Sequence, residues 1–136
     1  MKRQCFRFPT EKFLKYYPDL KNSPVIVYLD KENAKEILGY LEEREKKFKM
    51  IMFQILSFRY DDDLYGKEEV SDKAKNVTAM KFKMGKKENV RIYCKEFSIA
   101  GKKIVMITKI EKKTQKVNKA LKQLLETIGG YEYEFK

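Results

Sequence analysis

Lys81, Lys83 and Arg91 recur on alternate residues of AMKFKMGKKENVRIYCKEF (79–97), a segment that carries six cations against two glutamates. Alternation at period two puts such residues on one face of adjacent strands. Ammonium and guanidinium groups gathered this way suit the phosphates of a polyanion, and arginine's planar fork suits a phosphate best. The chain has no histidine, so Ser-His-Asp and Cys-His arrangements and His-ligated metals are excluded. It also lacks GxxxxGK[ST] and GxGxxG motifs. The two cysteines, Cys5 and Cys94, are too few and too far apart for a disulfide framework or a zinc knuckle. Any chemistry falls to lysine, arginine, tyrosine or carboxylates, with no metal and no cofactor expected.

The charge balance points the same way. Residues 1–73 carry 15 Lys+Arg against 14 Asp+Glu, whereas residues 74–136 carry 16 against 6. A half at +10 calls for a polyanionic partner, nucleic acid before an acidic protein segment, because clustered cations repel one another. A solvated sheet face would show the same alternation, but solubility alone does not require loading one half. At 136 residues and 43% hydrophobic, the chain reads as one domain spanning residues 1–136. No apolar run reaches membrane length, and MKRQCFRFPTEK has no signal-like apolar core, so a reducing cytoplasm is expected.

The elements that must position these cations follow from hydrophobic period. Residues 1–24, with prolines at 9, 18 and 24, read as an irregular or part-helical extension. PVIVYL (24–29) is a β-branched strand, and Asp30 offers a helix cap. Apolar residues from Ala34 to Leu56 keep helical spacing; the charge cluster 42–47 suggests a helical pair breaking near 43–47. Residues 59–76 read as an acidic surface loop. Then come three strands: VTAMKFKM with Met80, Phe82 and Met84 coreward, NVRIYCKEF with Val90, Ile92 and Cys94 coreward, and KIVMITKI. Thr114 begins an amphipathic helix that Gly129-Gly130 should end in a left-handed turn. YEYEF can add an edge strand. The expected fold is α+β: an antiparallel sheet of about four strands, mixed at the N-terminal strand. Two N-terminal helices and one C-terminal helix cover one of its faces.

The ordered combination of Lys-x-Lys (Lys81, Lys83), Val90-Arg91-Ile92-Tyr93 and KKTQK before a helix resembles the RelE/ParE superfamily of type II toxins. The likeness runs loosely over residues 25–57 and well over 77–128, and leaves residues 1–24 outside. It implies a RelE-like fold and a ribosome-dependent mRNA endonuclease that inhibits translation, with a cognate antitoxin, the ribosome and mRNA as partners. A ParE-like inhibitor of DNA gyrase, or a diverged member that binds RNA or protein without cutting, are the alternatives. Carried over by position, the catalytic residues are Lys81, Lys83, Arg91 and Lys113. With no histidine, a lysine must serve as base, helped by neighbouring cations. Arg91 is the phosphate clamp, and Lys113 a second cation for the transition state. Lys86, Lys87, Lys95, Lys112 and Lys116 would add phosphate contacts, and Tyr93 could stack on a base. RelE-type enzymes place a tyrosine after the basic pair; TQKVNK has none, which leaves Tyr93, Tyr131 or Tyr133 to replace it in space.

Overall fold

A computed structural model describes residues 2–57, 61–84, 88–112 and 119–135. Strand β1 (Arg3–Arg7) leads through helix α1 (Glu11–Tyr16) and a 3-10 turn (Pro18–Asn22) to β2 (Val25–Asp30). Helices α2 (Ala34–Glu42) and α3 (Glu45–Ser57) follow, then β3 (Tyr65–Lys67), β4 (Val77–Met84), β5 (Glu88–Ile99) and β6 (Lys102–Lys112). Helix α4 (Lys119–Gly129) and β7 (Tyr133–Glu134) complete the chain.

The strands form one sheet in the order β3-β4-β5-β6-β2-β1-β7. β2 lies parallel to β6, and β7 parallel to β1; the other neighbours are antiparallel. The sheet of about four strands with three helices is therefore corrected to a seven-stranded mixed sheet with four α-helices among the described residues. The three further strands are short: β3 spans three residues, too few to show a period, and β7 falls within the YEYEF expected to add an edge strand, at the sheet's edge. β1 (RQCFR) shows no apolar alternation, since only Cys5 of its five residues is buried. Residues 1–24 thus contribute a strand to the sheet, and the acidic stretch 61–76 contributes its edge.

The second correction concerns coverage. On one face Val27, Leu29, Met80, Phe82, Ile92, Val105 and Ile107 meet the buried stripes of α2 and α3. The break between those helices falls at 43–44, where the charge cluster lies. The opposite face is also covered. Leu125 and Ile128 of α4 pack on Val77, Ala79 and Tyr93, and next to them Cys5, Met106 and Tyr133 cluster with Tyr28, Phe97 and Phe135. The alternating face expected to be wet is apolar at its centre.

Two turns fix this arrangement. Ala100 (φ 52°) and Gly101 (φ 77°) both adopt left-handed backbone between β5 and β6, a two-residue hairpin loop whose twist matches its strands. Gly129, by contrast, does not have positive φ, so the expected left-handed stop is replaced by bonds from Gly130 N–H to the carbonyls of Glu126 and Thr127, both 3.1 Å. Gly129 is needed for close approach: a Cβ there would lie 2.0 Å from the Lys73 carbonyl oxygen.

Candidate nucleic-acid interface

The pairing of β4 with β5 brings Lys81 directly opposite Arg91, and Lys83 opposite Asn89 on the same face. Glu111 of β6 sits opposite Arg91 on its other side. The three described members of the expected catalytic set therefore share one face at the end of the sheet that α4 leaves uncovered. Two of them are already engaged. Arg91 Nη1 pairs with the Glu68 carboxylate, and both side chains are nearly buried at 13% and 14% exposure. Lys81 Nζ donates to the backbone carbonyl of Asp62. Lys83 is exposed.

Arg91 has spent only part of its fork. Its Nε–H is buried and has no hydrogen-bond partner among the described residues. Natural proteins rarely leave such a donor unpaired; strain, a catalytic role or a bound water or ion are the usual reasons. A phosphate exchanging for the Glu68 carboxylate would meet a guanidinium already held in place by the sheet, with Lys81 across from it.

Two of the expected RNA contacts have structural work instead. Tyr93 is 1% exposed and lies under α4, so stacking on a base is overturned for the folded protein. Burial first, and then the Glu68 charge, push its phenol up to about 12. Lys95 Nζ donates to the carbonyls of Gly129 at 2.7 Å and Tyr131 at 2.9 Å, satisfying acceptors that the end of α4 leaves unpaired. Burial lowers its pKa from the usual lysine value. Lys112 is exposed on β6. Lys86, Lys87, Lys113 and Lys116 lie outside the described residues. Neither Tyr131 nor Tyr133 reaches this end of the sheet: the first lies against Arg3, and the second bonds to Asp30.

Glu68 and Asp62 are the residues that reading by period missed. Both belong to RYDDDLYGKEEVSDK, whose acidity beside a cationic strand pair was the available signal. Among the described residues no group of three or more His, Cys, Asp or Glu is placed to hold a metal ion. No described helix is long and apolar enough to cross a membrane. The chain matches no protein-family model, no curated protein and no solved structure.

Proposed function

We propose that this protein is the toxin of a type II toxin–antitoxin pair, a cytoplasmic mRNA endonuclease that acts on the ribosome and is restrained by its antitoxin. The observation that carries the reading is the β4–β5 register, which sets Lys81 against Arg91 with Lys83 two residues along on the same face. The sequence resemblance and the +10 charge of residues 74–136 support it. Cleavage would run through the RNA's own 2′ hydroxyl. That hydroxyl loses its proton to an amine of the Lys81/Lys83 pair and attacks the adjacent phosphorus. The 5′ oxygen then departs with a proton drawn from water, the lysine returning its own to solvent, which leaves a 2′,3′-cyclic phosphate and a 5′ hydroxyl. Arg91 would hold the crowded phosphorane once phosphate has displaced Glu68. General acid–base catalysis supplies only ~10²–10⁴-fold, so positioning of the mRNA by the ribosome has to supply much of the rest.

A second reading, RNA binding without cleavage, draws on the Arg91–Glu68 pair and the burial of Tyr93. Cell-free translation of a defined mRNA separates the two. Primer extension is expected to show cuts that need ribosomes and vanish in Arg91→Ala and Lys81→Ala. Intact mRNA at high protein excess, together with retained RNA binding, would establish the binder.

A further inference from the structure

A second polar site lies at the β3 edge of the sheet. There a cleft of about 430 Å³ is bordered by Asp62, by Tyr65, Gly66 and Lys67 of β3, by Thr78 and Lys81 of β4, and by Glu96 of β5 and Lys103 of β6. That volume falls in the range of small-ligand sites. Four strands converge on it, and its floor is a single hydrogen-bonded chain. Thr78 Oγ1 donates to Tyr65 Oη at 2.8 Å, and Tyr65 Oη donates to Glu96 Oε2 at 2.5 Å. Lys103 Nζ lies 3.1 Å from Glu96 Oε1. Thr78 and Tyr65 are buried, whereas the Glu96 side chain keeps 18% of its surface exposed. Burial first, and the nearby Glu96 carboxylate after it, hold the Tyr65 phenol well above its ordinary pKa, so it remains a donor that fixes the carboxylate.

The mouth carries two ammonium groups among carboxylates: Lys67 lies 3.6 Å from Glu69, and Lys81 donates to the carbonyl of Asp62, which also lines the cleft. Lys67 is 80% exposed, and Lys81 reaches across Gly66. A Cβ on Gly66 would lie 3.0 Å from Asp62 Oδ1 and 3.5 Å from Lys81 Nζ, so these two side chains close in on the rim at Gly66. A ligand that fits must therefore present an anion to an ammonium group outside and a hydrogen-bond donor to a fixed carboxylate inside. A phosphate joined to a ribose does both, since carboxylates accept from ribose hydroxyls and lysines neutralise phosphate.

We infer that this cleft is a ribonucleotide site: Lys67 takes the phosphate at the mouth, and Glu96 accepts a ribose hydroxyl at the floor. The ligand is either a free nucleotide or one residue of an RNA chain. The second source rests on the RNA reading above, but the site itself does not. Its test requires neither ribosomes nor cleavage, so it can fail while the endonuclease stands, and the reverse.

The experiment is calorimetric titration of the full-length protein with AMP, 2′-deoxy-AMP and a single-stranded hexamer of riboadenylate or deoxyadenylate. The ribo form should bind about tenfold more tightly than the deoxy form, the usual cost of one hydrogen bond to a charged group. Glu96→Gln should shrink that preference to near unity, and Lys67→Ala should weaken both forms about threefold and reduce the salt dependence. Lys67 is exposed, so its variant tests the site even where Glu96→Gln unfolds the protein. Binding of AMP identifies a free nucleotide as ligand; ribose-selective binding of the hexamer alone identifies a residue of RNA. Equal affinity for ribo and deoxy forms, no binding of either length, or indifference to Lys67→Ala would each overturn the assignment.

Discussion

Two ends of one sheet face treat charge in opposite ways. At the β1–β2–β7 end the Asp30 carboxylate is fully buried and fully used. It accepts from Arg3 Nε and Tyr133 Oη, both at 2.7 Å, and from the backbone amides of Glu32 at 2.9 Å and Asn33 at 3.2 Å. At the β3–β4–β5 end Arg91 meets the Glu68 carboxylate, keeps an Nε–H unpaired among the described residues, and has Lys81 opposite and Lys83 in solvent. A saturated polar network fixes a structure, because losing any member strands the others in a low-dielectric interior. A partly saturated one keeps capacity for something else. The contrast separates the charges that hold the fold from those available to a ligand.

The largest effect that would break this contrast is at Asp30. Asp30→Ala removes the acceptor shared by Arg3 Nε, the Tyr133 hydroxyl and two amides, leaving Arg3 its Glu32 contact and Tyr133 its Thr108 contact. It should cost about 3 kcal/mol in denaturant unfolding, near the low end for breaking a buried pair because Arg3 is partly exposed. A loss below about 1 kcal/mol would put this end on the same footing as an ordinary surface. Next comes Gly129→Ala, which drives a methyl into the Lys73 carbonyl. A destabilisation of about 1–3 kcal/mol is expected, with α4 displaced from Tyr93. Phenolate absorbance would then show Tyr93 ionising nearer the ordinary tyrosine range.

Alkaline pH probes the same packing without mutation. Tyr93 ionises at about 12 in the fold, and Tyr65 and Tyr133 are also raised, burial being the first cause in each. A raised phenol binds its proton more tightly folded than unfolded. The stability this represents is whole below the unfolded value of about 10 and is lost as pH rises towards 12. Melting temperature should therefore fall above pH 10 and hold steady just below it. Tyr93→Phe should flatten part of that fall.

The smaller effects sharpen the ligand-facing end. Glu68→Gln removes the charge that competes for Arg91, so affinity for single-stranded RNA should rise severalfold, with stability lowered by about 1.5–2 kcal/mol. A drop in affinity would mean that Glu68 positions Arg91 for RNA instead of competing with it. Lys83→Ala should alter stability by no more than about 0.5 kcal/mol, as an exposed strand residue does. It should still weaken RNA binding and flatten its salt dependence by about one phosphate's worth. If it does neither, Lys83 belongs to solvent alone.

Much of the ordering was legible along the chain. β-branched and alternating runs gave β2, β4, β5 and β6, and the charge cluster at 42–47 marked where α2 gives way to α3. The cations on the β4–β5 face were legible too, but their availability was not. Tyr93 and Lys95 alternate in step with Arg91, yet α4 claims both. Period two reports which residues share a face and carries no information about what lands on that face.

By itself the sequence determined the α+β class, the strands long enough to show a period, and the concentration of positive charge after residue 73. These are local properties, fixed by side-chain spacing and composition. Only the tertiary structure decided that β1 and β7 come from opposite ends of the chain to pair with each other, that Asp30 meets Tyr133 across 103 residues, and that Glu68 neutralises Arg91. Two-residue strands and single ion pairs gain their energy from partners brought together by the fold, and distant pairings of this kind leave no period in the sequence to read.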